Sequence, residues 1–392
     1  MVLLLASACG IVVANIYYAQ PLIDMIGPSV GLGPSDASAI VSLTQLGYAA
    51  GLLLLVPLGD LVENRRLVVL TIAASIPALL LAAVARDGTV MLAAAVLIGL
   101  TSVAVQMLVP LAAHLSPEHM RGRVVGNVMS GLLVGILLAR PVSSVIANFA
   151  GWRAVFLISA AVMLATLVLL RFSLPHRRPQ ANHHYGTLLA SLFALPVRMP
   201  LLRQRAAYQA AAFAGFSLFW TGVPLLLARS FHYAQTGIAA FALVGAAGAL
   251  AAPLAGRMAD RGHTTFGTVF ALVSISLSFV VAFLGASVHS VIVLALGGVL
   301  LDAGVQTNLV LSQRSIYTLA PEMRSRLNGM FMAIFFVGGA VGSAITSPVF
   351  GRFGWAGLCV VGAVMPALAL VYFCAAARPV KARQELVFVN KR

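Results

Sequence analysis

The sequence predicts an all-α integral membrane protein in which twelve transmembrane helices form two pseudo-symmetric six-helix bundles. Three observations lead there. Hydrophobic residues make up 61% of the 392 and charged residues only 9%, more apolar surface than a soluble core of this length needs. The apolar residues come in continuous runs of about twenty, one helical crossing each, without the apolar-polar alternation of a membrane barrel. The stretch from Pro117 to Trp152 also occurs a second time, from Pro321 to Trp355. Arg121, Arg123, Gly126, Met129, Gly135, Gly151 and Trp152 recur as Arg324, Arg326, Gly329, Met332, Gly338, Gly354 and Trp355, each displaced by 203 positions, with only the Pro-Glu pair one residue out of step. A repeat at half the chain length marks a duplicated helical bundle.

Gly, Pro and charged residues divide the apolar runs into spans at 2–26, 37–60, 66–85, 89–113, 124–149, 152–171, 205–228, 235–258, 264–285, 290–315, 325–350 and 355–377. The first starts without a basic leader or a small-residue cleavage site, so it reads as a helix and not as a signal peptide. Pro21 disturbs its outer half. The second ends in PLGDLVENRR and the eighth in PLAGRMADRG, while the sixth and twelfth each open on Gly-Trp. The expected organisation is an N-terminal bundle at 1–171, a cytoplasmic linker at 172–204, a C-terminal bundle at 205–377 and a cytoplasmic tail at 378–392. Within the linker, GTLLASLFALPVRMPLL reads as a short amphipathic helix on the inner membrane face, where its arginines meet anionic lipid.

Net charge is +15, yet its distribution does not point to nucleic acid. With the N-terminus inside, the inner loops and tail hold 20 of the 25 Lys and Arg, the outer loops hold Arg86, Arg153, Arg229 and Arg352, and Arg140 lies within a span. That bias places both termini in the cytoplasm. Cys9, Cys359 and Cys374 fall in apolar runs with no CxxC spacing and read as small core residues. His183 and His184 are adjacent in a polar linker, which makes no metal site; no metal and no cofactor are expected.

The twelve spans, the central basic loop, the Gly-Trp-Arg opening of span six and the loops after spans two and eight resemble the major facilitator superfamily along the whole chain. The family's loop motif is Gly, three residues, Asp, then basic residues. The second copy carries it as Gly256, Asp260 and Arg261; the first departs from it, with Gly59, Glu63, Asn64 and then Arg65 and Arg66. A carboxylate at a helix end can accept bonds from a nearby helix N-terminus and from Arg. Glu63, Arg65, Arg66, Asp260 and Arg261 are therefore expected to form a latch that holds the inner ends of the halves together. ANIYYAQPLI in span one and SLTQLGYAAGLLLLVPLGD in span two look more narrowly like a bacterial branch near the proton-coupled drug and sugar-efflux carriers. Drug antiporters of the superfamily carry Gly-Pro in span five, whereas here Arg140 precedes Pro141.

Ionisable residues at membrane depth cost at least about 2.5 kcal/mol each, so they read as functional. Asp302 lies 12 residues into span ten, roughly 18 Å deep at 1.5 Å per residue, with Gln306 one turn on and Asn308 beyond. Such a carboxyl can take and release a proton as access alternates. Arg140 lies at a similar depth, roughly 13 Å, and keeps its charge under burial, so it needs a carboxylate or an anionic substrate. Spans five and ten lie in opposite halves in the superfamily, so contact between Arg140 and Asp302 would bridge the cavity. Asn15, Tyr17, Tyr18 and Gln20 in span one, Gln45 in span two, Gln106 in span four and Trp220 in span seven are the further cavity candidates, while Asp24 reads as an outer-surface residue. Gly131 and Gly135 have GxxxG spacing and read as close helix packing.

Together these imply a monomeric secondary carrier in a bacterial inner membrane, working by alternating access and exporting a small-molecule substrate against protons. The rival within transport is an importer or facilitator of sugars or organic anions, favoured if Arg140 meets substrate and not Asp302. A membrane enzyme or sensor would need a catalytic cluster or an appended domain, and neither a Walker loop nor a triad is visible.

Overall fold

In the computed structural model of the protein the described residues are 1–176, 184–319 and 323–389, and they form a helical bundle. Arg177, Arg178 and His183 of the linker, the Pro321-Glu322 pair of the repeat and residues 390–392 lie outside them. The helices are α1 Val2–Ala14, α2 Ile23–Ser29, α3 Ala39–Leu54, α4 Asn64–Val84, α5 Gly88–Thr101, α6 Val105–His114, α7 Arg121–Ala150, α8 Trp152–Ser173, α9 Tyr185–Arg198, α10 Pro200–Arg229, α11 Gln235–Ala242, α12 Val244–Ala249, α13 Ala251–Asp260, α14 Thr264–Ser287, α15 Val291–Tyr317 and α16 Arg324–Val389.

Ten helical stretches of the described residues are long and apolar enough to cross a membrane. The last of them folds back on itself at Gly354 (φ 62°, ψ −159°) and so holds two spans. The matching corner in the repeat is Gly151 (φ 79°, ψ 162°), between α7 and α8. A side chain at either φ would clash with its own backbone, so only glycine turns these corners without strain. The tryptophan after each corner is buried. Trp355 Nε1 donates to the carbonyl of Ala282 at 3.2 Å, and Trp152 lies under Arg153 at 4.2 Å, whose Nη2 reaches the carbonyl of Ala85 at 3.0 Å.

Three predicted spans are loosened rather than straight. The first runs α1, a tight turn, a 3-10 turn at Gln20–Leu22 and α2, with i to i+3 bonds from Ile16 to Val13 and from Tyr17 to Ala14 at 3.2 and 3.0 Å. The fourth has a 3-10 turn at Ser102–Ala104 between α5 and α6, and the eighth is divided into α11, α12 and α13.

Glycine sets the helix spacing. A Cβ on Gly131 or Gly135 of α7 would meet the backbone of Ala6 or Gly10 in α1, and one on Gly338 or Gly342 of α16 would meet that of Ala210 or Ala214 in α10. The two halves thus repeat the same backbone-to-backbone approach. Between halves, α3 packs on α16 and α7 on α11, whereas α13 packs on α14 and α15 of its own half. The end bearing Asp24 and Arg229 is closed across the halves. Arg229 Nη2 meets Asp24 Oδ1 at 2.7 Å, and the backbone N–H groups of Ser38 and Ser347 each donate to the other's hydroxyl at 3.2 Å. At the opposite end Arg121 to Arg123 and the faces of α13 around Leu250 and Leu254 are exposed. There α9 buries Leu188, Leu192 and Leu195 and bonds the carbonyl of Leu54 through Tyr185 at 2.7 Å. Cys9 and Cys359 are buried as expected; Cys374 is not a core residue but stands exposed near the end of the last span.

Candidate functional site

Almost every residue in the middle of α10 is buried, because one face meets its own half and the other meets the 3-10 turn Gln20–Leu22 of the first half together with Gln45 of α3 and Arg140 of α7. Phe216, Trp220 and, one residue on from each, Ser217 and Thr221 recur at helical spacing on that inner side. They make α10 the wall on which the two halves close.

Asp302 of α15 is 5% exposed and Arg140 of α7 is 2% exposed. The expected direct bridge between them is not formed: neither belongs to an ion pair among the described residues. Trp220 stands between the two instead. Its Nε1 donates to Asp302 Oδ1 at 2.8 Å, and its ring lies 4.4 Å from the Arg140 guanidinium carbon. An indole offers an N–H edge to an anion and an electron-rich face to a cation, so one side chain serves both charges. Phe216 at 5.1 Å and Tyr17 at 5.4 Å complete an aromatic box around the guanidinium.

Gln20 closes the circuit. Its Oε1 accepts from Arg140 Nε at 2.9 Å, and its Nε2 donates to Thr221 Oγ1 at 3.2 Å. The halves are therefore joined here twice, through Arg140 on Trp220 and through Gln20 on Thr221. Only the Nε donor is taken, and Arg140 Nη2 is buried with no partner. On the other flank of Asp302, a Cβ at Gly245 would come 2.7 Å from Asp302 Oδ2, and one at Gly248 would meet the Asp302 side chain itself. The loosened eighth span can approach the acid only because those two positions are bare.

Gln45 lies in a neighbouring polar cluster, bonded to Ser217 at 2.8 Å and to Ser343 of α16 at 3.4 Å. The remaining candidates are not drawn into the Arg140 cluster. Asn15 accepts from Ser159 at 2.6 Å within the first half, Gln106 donates to the Tyr48 hydroxyl at 3.3 Å, and Asn308 donates to Gln209 at 2.6 Å within the second half. Tyr18 and Gln306 are half-buried.

The loop acids also stay within their own halves in this conformer. Glu63 Oε1 meets His176 Nδ1 at 2.7 Å, the other ring nitrogen of His176 meets Arg65 at 3.1 Å, and Arg65 also reaches the carbonyl of Arg171. Asp260 is bonded to Arg314. Arg66 and Arg261 are exposed, and Gly59 and Gly256 sit at the ends of their helical stretches. No group of three His, Cys, Asp or Glu among the described residues could hold a metal ion.

Phe216, Thr221, Gly245 and Gly248 were not singled out by the sequence, and Gln20 only as one cavity candidate among several in span one. The signal available for Gln20 was its place beside Pro21 in span one; for the others there was none, since a ring, a hydroxyl or a glycine in an apolar run has many uses.

The family model of the Major Facilitator Superfamily matches residues 3–261 and 206–390 of the chain. The "Uncharacterized transporter YgaY" of Escherichia coli O157:H7 is 41% identical over 366 residues, 93% of this chain and 92% of that protein. The "Probable transporter SCO4007" of Streptomyces coelicolor is 37% identical over 384 residues, 96% of this chain and 87% of the other. Among solved structures, that of the nucleoside transporter NupG superposes with a TM-score of 0.78 at 15% identity, covering 96% of this chain and 99% of that one. A likeness at that identity speaks for the fold alone. With a family match along its whole length, relatives named as transporters and the shared fold, this chain belongs to the Major Facilitator Superfamily and is a multi-pass membrane transporter of small molecules, not an enzyme.

Proposed function

We propose that this transporter couples its cargo to protons, that Asp302 carries the proton, and that the protein works as a monomer in a bacterial inner membrane with both termini in the cytoplasm. The halves would be 1–171 and 205–377, joined by the linker 172–204, with 378–392 as tail. The observation that carries the reading is the position of Asp302, buried in mid-span and bonded to the indole that seats Arg140 of the opposite half. A bond to an ionised acceptor is about twice as strong as one to a neutral acceptor. Protonation of Asp302 therefore loosens Trp220, and with it the seat of Arg140 and the closure between the halves.

The charge bias of the loops puts the closed end, with Asp24 and Arg229, on the outside, so the conformer is open toward the cytoplasm. Glu63 and Asp260, held here by His176 and Arg314, would exchange partners and latch the inner ends when the outer end opens. Export is the direction favoured by the likeness of spans one and two to the efflux carriers. Uptake of organic anions is the second reading, favoured by the unpartnered Nη2 of Arg140.

The test is proton movement in proteoliposomes carrying an internal pH dye, on addition of drugs, sugars, amino acids and organic acids, with wild type and Asp302→Asn. A compound that moves protons through the wild type and not through the mutant is the expected result. Equal transport by both proteins without proton movement would remove Asp302 as coupling acid and leave a facilitator.

A further inference from the structure

We infer that the cargo carries a carboxylate, seated on the free edge of Arg140, and that it binds together with the proton on Asp302. The inference rests on the reading of Asp302 as the coupling acid. Arg140 has five N–H donors and no way to shed its charge. Gln20 takes the Nε donor and three rings cover the guanidinium, yet Nη2 is buried and bonded to nothing. No carboxylate of the protein bonds the group directly, because Trp220 intercepts Asp302. A buried guanidinium with an open N–H edge is made for a fork of two carboxylate oxygens. The rings of Tyr17, Phe216 and Trp220 offer an apolar wall to the organic body behind that carboxylate. A cationic cargo would instead meet a fixed positive charge.

The proton follows from the count of charges. With the site empty, Arg140 and Asp302 cancel. A bound carboxylate adds a second negative charge where the dielectric is low and the attraction and repulsion of charges are strong. A proton restores the balance, and the candidate acceptors are few. The charged and titratable groups acting on Arg140 are Asp302 and Tyr17, and of these only Asp302 is an acid that protonation neutralises. The faces of α10 and α12 against Asp302 bring Trp220, Gly245 and Gly248, which carry no charge. Anion and proton therefore load together and cross in the same direction, which goes with the second reading, uptake of an organic anion down the proton gradient, and not with export against protons.

The test is calorimetric titration of the purified full-length protein with benzoate, lactate and citrate, and with benzamide and lactamide as uncharged counterparts, in two buffers of different ionisation enthalpy. The expected result is a carboxylate that binds at least tenfold more tightly than its amide, with about one proton taken up per anion. Arg140→Gln should abolish the preference, Arg140→Lys should keep part of it, and whatever anion still binds Asp302→Asn should take up no proton. Binding of none of the carboxylates, or equal binding of acid and amide, overturns the seat on Arg140 even if neutral compounds are moved with protons. A carboxylate preference without proton uptake in the wild type overturns the joint loading and, with it, Asp302 as the coupling acid.

Discussion

Arg140 is held by ring faces and one amide, not by an opposite charge, and the neighbouring residues can be separated by substitution. Trp220→Phe keeps a ring under the guanidinium but removes the donor to Asp302. A bond to a charged group is worth about 1.5–3 kcal/mol, so thermal stability in detergent should fall by about that amount while Arg140 stays seated, and transport should slow; an unchanged melting curve and rate would show that the bond carries nothing. Gln20→Glu places a carboxylate against Arg140 Nε. It should compete with an anionic cargo and weaken its apparent affinity by roughly tenfold, the equivalent of about 1.4 kcal/mol, which a concentration series of uptake would measure. Asp302 and Arg140 were conspicuous in the sequence because a charge inside an apolar run is costly wherever it sits. Their partners were not, because what Gln20 or Phe216 does depends on which side chain arrives from the other half.

At the scale of helices, the repeat in the sequence reappears as a repeat in packing. Gly131 and Gly135 against α1 correspond to Gly338 and Gly342 against α10, and the two Gly-Trp corners turn the chain in the same way. Gly135→Val should force α1 from α7, and Gly338→Val should do the same to α10 and α16. Each should cost several kcal/mol, in the range of a strained or overpacked core, and should show as loss of monodisperse protein. Gly126→Ala and Gly329→Ala, where an added Cβ meets nothing within 4 Å, should leave the melting temperature level or raise it, since alanine is worth about 1 kcal/mol over glycine in a helix. If all four behave alike, the close approaches do not set the packing. Close packing at Gly131 and Gly135 was readable from their spacing. Pro21 marked the disturbance in span one, but the turns that loosen spans four and eight were not readable, because an apolar run looks the same whether its bonds step by three or by four.

Over the whole molecule, the conformer is defined by which ends meet. The pair Asp24–Arg229 is partly exposed, and such pairs contribute about 0.2–1 kcal/mol, so Asp24→Asn should shift the balance of conformers only severalfold. A covalent tie is a sharper probe. Ser38 and Ser347 face each other with reciprocal bonds, so cysteines at both positions, with Cys374→Ser to remove the exposed native thiol, should crosslink on oxidation. Transport should stop, then return on reduction. Continued transport by the oxidised, fully crosslinked protein would mean that this end need not open.

The helical membrane fold, the duplication, the corner glycines and the two intramembrane charges could all be read position by position, because hydropathy, helix length and the cost of a buried charge are local properties of the chain. The seat of Arg140 on Trp220 instead of on Asp302, the closure by Gln20, the approach of the eighth span to the acid and the choice of the closed end are different in kind. They depend on how helices far apart in sequence settle against one another, where a shift of one helical turn exchanges one partner for another at nearly the same hydropathy.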